Sequence, residues 1–413
     1  MTDESYSDGQ KRRSLLWILN LHAGPNGASL RYLNYSKWLR RAGFSVHFAV
    51  SDSTFDPLQL NELVEGGWID TFSRLAAWRS EGPRNGFSKL SVFPALRTHL
   101  PTQKQASIQE NLLELIALHK ADTCIVSDRQ YLFAVPALTP TARVVIDWCD
   151  SESLYCLRGL RQSVRSGSLR EVPSWLSRGL TALLEERYYP RISHANMVVS
   201  PVDSRAFHCV CPKAHDLRTV LNGVEIPTQR ARKPKVSDRL VFSGRMDFQP
   251  NHQGALWFID HVLPAVRKRR PGAHIIIAGT HPVPELRARE SDFVHVTGYV
   301  PDLGNELAQA ALYVAPLVSG GGFKNKIFEA IAAGTAIVGT PFAAEFLPTE
   351  LRTVVRVATG AREFADAVVR CLETPALLAR ELTEAQEYLR LRFSWKAQTD
   401  DLLCLLEPPP PRW

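Results

Sequence analysis

The sequence predicts an α/β protein of two domains, each built on a doubly wound parallel sheet. Three observations predict it. Short β-branched or aromatic runs alternate with helical patterns through residues 14–222, the signature of a parallel sheet covered on both faces. The same alternation repeats more cleanly through residues 238–392. Between them, residues 223–237 are rich in Pro, Lys and Arg and poor in large apolar side chains, and read as an interdomain linker.

Residues 1–13 start acidic and polar and read as a disordered lead-in. The apolar piece 15–21 is too short for a signal-peptide core and reads as the first strand. A helix is expected over 29–42, stopped by Gly43, and a strand over 45–50. Residues 68–99 show neither period and read as irregular loops. A helix over 106–119, strands over 123–127 and 143–147, a long helix over 174–192 and a strand over 197–200 complete the first half. In the second half, strands are expected at 239–243, 273–278, 293–297, 312–316 and 336–339. Helices are expected at 252–269, 303–311, 323–333, 361–373 and 376–391. A last helix over 393–407 precedes a stiff proline-rich tail, 408–413.

Composition excludes several classes. The 413 residues, 45% hydrophobic and 22% charged, suit an ordinary globular protein of two or three domains. No apolar run approaches the roughly 18 residues that a membrane span needs. Seven scattered cysteines without C-x-x-C spacing read as free thiols in a reducing cytoplasm, not as a disulfide frame or zinc site. A formal charge of +7 favours anionic partners. Arg158, Arg161, Arg165 and Arg170 form a loose basic run whose plainest reading is a solvated face; an anionic membrane surface or a phosphorylated substrate also suits it. No aromatic-interleaved basic motif accompanies the run, so nucleic acid is not expected.

The stretch from Leu240 to Phe342 is the most informative. Gly320, Gly321 and Gly322 follow the apolar run 312–318 and open a helical pattern. A glycine-rich turn entering a helix exposes unpaired N–H groups, which suit a phosphate or diphosphate. At 100° per residue Lys326 and Glu329 share one face, with Phe323, Ile327 and Ile331 on the opposite, buried one. This fits a nucleotide-sugar site, with Lys326 at the diphosphate and Glu329 on the ribose hydroxyls. A surface ion pair on an ordinary amphipathic helix fits the spacing equally well. Arg245, directly after an apolar strand and Gly244, could bind a diphosphate with its planar charged fork or pair with Asp247.

These residues resemble the C-terminal half of the retaining, family 4-type glycosyltransferases (glycosyltransferase group 1), which have the GT-B fold. In that group an arginine follows the first strand of the second domain, and a glycine-rich loop precedes a helix with a ribose-binding glutamate. Here Arg245 and Glu329 occupy those positions. The resemblance runs from about residue 14 to residue 406, and within the group it looks nearest to sugar transferases of bacterial exopolysaccharide and exosortase-associated gene clusters. It implies two Rossmann-like domains facing a central cleft: an N-terminal acceptor domain, 14–222, and a C-terminal donor domain, 238–392, with helix 393–407 crossing back. The chain departs from the pattern twice. The glutamate often found eight residues before the ribose-binding one is Gly321, and the usual phosphate-binding lysine six residues after the arginine is Asn251. Lys326 is expected to supply the missing charge. Asn251 itself reads as a cap for the helix starting near residue 252.

Ligands of doubly wound domains sit outside the carboxyl ends of the strands, so the candidates are strand-end residues. Gly24 and Gly27 lie in the turn after the first strand, where glycine lets the backbone approach the donor; the turn lacks the G-x-G-x-x-G pattern, which argues against a nicotinamide cofactor. The resemblance places Tyr299 and Val300 at the nucleobase edge, with Gly279 and Thr280 lining the same end. Gly244, Gly320, Gly321, Gly322, Phe323 and Lys324 complete the donor candidates, although helical phase puts Lys324 near Ile331 on the packed side. Asp128 could contact the donor sugar or orient the acceptor, and Arg129 could bind an acidic acceptor group. Equally, those two could form a local ion pair. Asp147 and Asp150, at the end of the next strand, are the alternative acids.

The reading is a cytoplasmic retaining glycosyltransferase using a nucleoside-diphosphate sugar, most naturally UDP- or GDP-linked, with Arg245, Lys326 and Asp128 as catalytic residues. Its acceptor is expected to be a glycan, a lipid-linked glycan or a small-molecule glycoside. No cofactor and no essential metal are expected, and peripheral contact with an anionic membrane at the inner face stays open. The alternatives are a sugar-nucleotide epimerase of the same fold and a degenerate, non-catalytic nucleotide-sugar-binding protein.

Overall fold

The computed structural model describes residues 12–21, 27–51, 57–76, 102–165, 167–226, 234–319 and 321–407. The chain divides into two compact units, Met1–Leu221 with Gln398–Trp413 and Asn222–Ala397.

In the first unit the chain runs β1 (Arg13–Leu19), α1 (Gly27–Arg41), β2 (Phe44–Ser51), α2 (Pro57–Glu65), β3 (Thr71–Leu75), α3 (Gln103–His119), β4 (Thr123–Val126), α4 (Val135–Leu138) and β5 (Arg143–Asp147). It continues through α5 (Glu152–Arg165), α6 (Val172–Tyr188), β6 (Ala195–Val198), α7 (Pro201–Val210) and β7 (Leu217–Thr219). All seven strands are parallel, in the order β3-β2-β1-β4-β5-β6-β7. The residues Leu15 to Leu19 are all buried, as a central parallel strand covered by helices on both faces requires. Local chemistry sets the helix ends. Thr102 and Gln105 form a reciprocal capping box at the start of α3, and Lys120 closes it in the left-handed conformation (φ 51°). Gly43 ends α1 at φ 90°.

The second unit runs β8 (Val236–Ser243), α8 (Gln249–Trp257), a π-helical turn (Phe258–Val262), α9 (Leu263–Arg269), β9 (His274–Ala278), α10 (Pro284–Arg287), β10 (Val294–Gly298), α11 (Leu303–Gln309) and β11 (Ala310–Ala315). Then come α12 (Asn325–Ala332), β12 (Ile337–Gly339), β13 (Val355–Val357), α13 (Gly360–Glu373) and α14 (Pro375–Arg392), followed by α15 (Trp395–Leu406), which passes into the first unit at Gln398. Its six strands are parallel in the order β10-β9-β8-β11-β12-β13. The end of α15 belongs to the first unit, where Arg13 and Arg143 donate to the carbonyls of Leu406 and Leu405 at 3.0 and 3.1 Å. Two arginines thus satisfy orphan carbonyls at the negative end of the helix.

The doubly wound fold is therefore as the sequence predicts, and several details differ. β3 lies within 68–99, which reads as loop because its side chains are only half-covered and show no clean alternation; residues 77–99 lie outside the described set. The strand expected over 197–200 is Ala195–Val198, because Ser200 caps α7 by accepting from the Asp203 amide. β1 starts at Arg13, inside the expected lead-in, and β8 starts at Val236, inside the expected linker. Residues 1–11 and the tail 408–413 lie outside the described set.

In both sheets the strand order reverses beside the first strand, between β1 and β4 and between β8 and β11. At such a switch point neighbouring crossovers leave to opposite faces, and a crevice opens beyond the carboxyl ends of the strands. In the second unit that crevice is flanked by the loop after β8 and the loop after β11.

Candidate functional site

The loop after β8 begins with a steric constraint. A Cβ on Gly279 would stand 1.7 Å from the carbonyl oxygen of Gly244, so only glycine fits there. A Cβ on Gly244 (φ 151°) would meet Asn251 Nδ2 at 2.7 Å and Lys326 Nζ at 3.0 Å. With both side chains absent, the strand ends knit together. The Gly244 amide donates to Ala278 O (3.0 Å), Met246 to Thr280 O (2.8 Å) and Gly279 to Gly298 O (2.9 Å). The loops after β8, β9 and β10 thus form one hydrogen-bonded rim.

Onto this rim comes Lys326, in the first turn of α12. Its ammonium donates to Asn251 Oδ1 at 2.6 Å and lies 5.0 Å from the centre of the Phe242 ring. Asn251 in turn donates from Nδ2 to Arg245 O at 2.8 Å. The residue standing where the resemblance expects a lysine therefore touches the lysine expected to replace it. Asn251 is not the cap of α8: Phe248 holds that position, and the Asn251 side chain faces the β8 loop instead. Burial pushes the Lys326 ammonium down to about 7; the Glu329 carboxylate opposes that shift and Lys324 adds to it. Glu329 is half-buried on the same helix, its carboxyl raised by burial and held back by the Lys326 charge. Both are thus placed together, as helical phase predicts.

Lys324 behaves differently from expectation. α12 starts at Asn325 rather than Phe323, so Lys324 is the residue before the helix and its phase does not apply. Its buried side chain turns back, donating to the carbonyls of Gly321 (3.0 Å) and Gly322 (3.1 Å) and lying 4.6 Å from the centre of the Phe342 ring. Lys324 thus braces the glycine loop. Phe323, also outside the helix, is half-buried and stacks on Phe328 at 4.4 Å. Gly322 adopts φ 62°, which favours glycine. Gly320 lies outside the described residues.

Arg245 is half-exposed and pairs with Asp247 at 2.8 Å, one of its two expected partners. Tyr299 is exposed and Val300 half-buried just beyond Gly298, so the expected nucleobase edge sits on the rim. Sequence reasoning missed Phe242, which underlies the ammonium, because an apolar strand residue carries no functional signal. It also missed the bridging role of Asn251, whose signal was the departure from the family pattern.

In the first unit the candidates separate. Asp147 is fully buried and bidentate to Arg31, at 2.9 and 3.3 Å, while Arg31 also donates to Val220 O at 2.9 Å. That pair ties α1 to β5 and to the segment after β7, so Asp147 is not available as an acceptor-side acid. Arg129 does not pair with Asp128; it meets Glu185 at 3.1 Å and Glu186 at 3.3 Å on α6, acids that already balance the charge it would offer an acidic acceptor group. Asp128 is buried and caps the short helix that follows, accepting from the Gln130 amide at 3.0 Å. Asp150 is half-buried, its carboxyl pushed up to about 7 by burial and by the nearby charges of Asp203 and Glu152. Gly27 opens α1, and Gly24 lies outside the described residues.

Residues 237–374 match the family model described as Glycosyl transferases group 1. This stretch, about a third of the chain, is similar to the group 1 glycosyl transferases. The matched region contains the whole rim, with Gly244, Arg245, Asn251, Gly279, Lys326 and Glu329. Among curated relatives, the phosphatidyl-myo-inositol mannosyltransferase of Mycobacterium leprae is 28% identical over 205 residues, 46% of this chain and 54% of the relative. The Mycobacterium tuberculosis protein of the same name is 28% identical over 208 residues. The chain thus spans about half the length of the curated relatives it matches. A glycosyltransferase from Rickettsia africae shares the fold over 96% of this chain and 98% of its own, with a TM-score of 0.66 and 13% identity. So does Anabaena HepE, solved in complex with UDP and glucose, over 95% and 99%, with a TM-score of 0.65 and 15% identity. The chain has the GT-B type of fold that these neighbours share. Among the described residues no cluster of three or more metal-ligating side chains occurs, and no helix is long and apolar enough to cross a membrane.

The lowered Lys326 pKa carries a stability consequence with a definite sign. Between about pH 7 and 10.5 the unfolded chain holds this proton and the folded one does not, so stability rises with pH across that window. The penalty is fully present below about pH 7. Lys326→Met should therefore melt above the parent at about pH 6, with the gap closing toward about pH 10. Calorimetric melts across that range check it; a gap independent of pH would contradict the assignment.

Proposed function

We propose that the chain is a retaining, metal-independent glycosyltransferase, moving a sugar from a nucleoside-diphosphate sugar to a hydroxyl of a glycan, a lipid-linked glycan or a small-molecule glycoside. The observation that carries this reading is the convergence of Gly244, Arg245, Asn251 and Lys326 at the switch point of the second sheet. Two features of known proteins support it: the mannosyltransferase names of the curated relatives, and the UDP bound to the Anabaena neighbour.

Departure of the nucleoside diphosphate builds negative charge on the β-phosphate. Lys326 stands on the rim with a neutral amide as its hydrogen-bond partner, and the Glu329 carboxylate on the same helix favours its charged form. Arg245, half-exposed, exchanges Asp247 for the phosphate. The amides of the glycine loop, held in place by Lys324, add fixed dipoles that need no reorganisation as the charge develops. Glu329 accepts from the ribose hydroxyls and sets the register of the donor. Attack by the acceptor on the face the leaving group vacates retains the anomeric configuration. Asp150, with its carboxyl pushed up to about 7, is the acceptor-side acid the first unit offers, and Asp128 holds the Gln130 amide near it in sequence.

The direct test is a panel of UDP, GDP, ADP and dTDP. A nucleotide present at 100 times its Kd should stabilise the fold by about 2.7 kcal/mol. Glu329→Ala should weaken the best nucleotide sugar by about 2–3 kcal/mol, since the lost bonds are to a charged acceptor, and should leave the melting temperature little changed, since the side chain is only half-buried. Donor binding unchanged in this variant removes the ribose assignment.

Turnover should survive EDTA, because fixed cations and amides do the work of a divalent ion. Complete loss restored by magnesium overturns that part of the mechanism.

Lys326→Ala should reduce kcat more than it weakens donor binding, because leaving-group charge is greatest in the transition state. Asn251→Lys in that background should restore part of the rate, returning a cation to the same point on the rim. Lys324→Ala should instead act through the loop and raise KM. Full activity in Lys326→Ala ends the replacement idea.

A further inference from the structure

The hairpin of α5 and α6 is built inside out. Its inner seam consists mainly of small residues: Cys156, Gly159 and Ser163 on α5 meet Trp175, Gly179 and Ala182 on α6. A Cβ on Gly159 would meet the Trp175 ring at 2.7 Å, and one on Gly179 would stand 3.2 Å from Cys156 Cβ. The seam is closed by polar contacts as well. Trp175 Nε1 donates to Ser163 Oγ (3.1 Å), and Ser163 donates to Glu171 (2.7 Å).

The large apolar side chains are left on the outside. Leu157 and Val164 are exposed on α5, Leu176, Leu180 and Leu183 on α6, and Leu169, 66% exposed, in the turn between the helices. On α6 the spacing is i, i+4, i+7, one continuous stripe; on α5 it is i, i+7. Scattered exposed leucines need no explanation, but a contiguous stripe across two helices does. A small-residue seam with large side chains turned outward is the pattern of helices that pack against one another in contact with lipid.

Charge selects the occupant. Arg161, Arg165 and Arg170 lie exposed at the turn end of the hairpin and make no ion pair with any described residue. The acid at that end, Glu171, is held by Ser163, while Arg178 is tied to Glu152 and stacks near Tyr155. A second copy seated on this face would bring the same arginines near one another. An anionic bilayer would instead meet each arginine with a lipid phosphate and accept the leucines below the headgroups.

We infer that the α5–α6 hairpin is a docking surface for an anionic lipid bilayer, with Leu169, Val164 and Leu176 entering the interface and Arg161, Arg165 and Arg170 contacting lipid phosphates. This does not depend on the donor-site reading.

The test is co-sedimentation of the full chain with phosphatidylcholine vesicles, with and without phosphatidylglycerol. The parent should sediment with the anionic vesicles only. The triple variant Arg161→Glu/Arg165→Glu/Arg170→Glu should lose vesicle affinity by about 100-fold or more, as each basic residue near an anionic surface contributes about a factor of five. Leu169→Ser/Leu176→Ser should lose affinity while keeping the parent's melting temperature, since both side chains are exposed in the folded chain. A parent that stays in solution with anionic vesicles overturns the inference, as does undiminished binding in both variants. So does a concentration-dependent dimer in light scattering that the leucine variant abolishes while no vesicle uptake occurs, which would make a second copy the occupant.

Discussion

Gly244 and Gly279 approach so closely that the carbonyl of one occupies the space a Cβ on the other would need. Everything at the rim of the second unit follows from that proximity. It allows the loops after β8 and β9 to share hydrogen bonds, which fixes Met246 against Thr280 and turns the Arg245 carbonyl toward α8. Asn251 then reaches that carbonyl from one side, and Lys326 reaches Asn251 from the other. The glycines here supply space more than flexibility. A methyl group at either position would displace backbone or the Asn251 amide, and the ammonium would lose its seat.

The charged groups sort by what they are paired with. Arg31 and Asp147, or Arg129 with Glu185 and Glu186, are matched opposite charges whose removal would leave a buried partner uncompensated. Such pairs hold a fold together and have little left to offer a ligand. Lys326 and Asp150 are different. Burial brings both to about 7: Lys326 is hydrogen-bonded to a neutral amide and only partly held up by Glu329, and Asp150 is pushed further by Asp203 and Glu152. Perturbed groups of this kind at strand ends are where binding and proton transfer gain most.

Most of the fold was legible because parallel strands buried on both faces leave near-continuous apolar runs, as in β1, β8 and β9. What stayed hidden has physical reasons. β3 and β7 are short, only partly covered strands toward the edge of the sheet, and β13 is three residues long, so none imposes a pattern. α5 was read only as a basic run because its large apolar positions face outward and its seam is made of small residues. At the site, the pairing of Lys326 with Glu329 followed from helical phase alone. The fate of Lys324 did not, because it depends on where α12 begins, and helix starts are set by loop geometry that spacing does not encode. Asp147 and Arg129 could not be told from acceptor-side candidates either, since their partners lie far away in sequence: Arg31 for one, Glu185 and Glu186 for the other.

Two places depart from what a chain folding for stability alone would choose. At the rim, a lysine is half-buried against a neutral amide, where burial disfavours its charge. On the hairpin, leucines face water while glycines fill the seam. Departures from local rules tend to mark the positions where function is supported at the expense of stability. Both departures would be relieved by the same kind of partner. A phosphate at the rim would restore the full charge of Lys326, and phosphates at a bilayer surface would balance Arg161, Arg165 and Arg170 while the acyl region took the leucines. Part of the net charge of +7 stands where an anion would remove a local penalty.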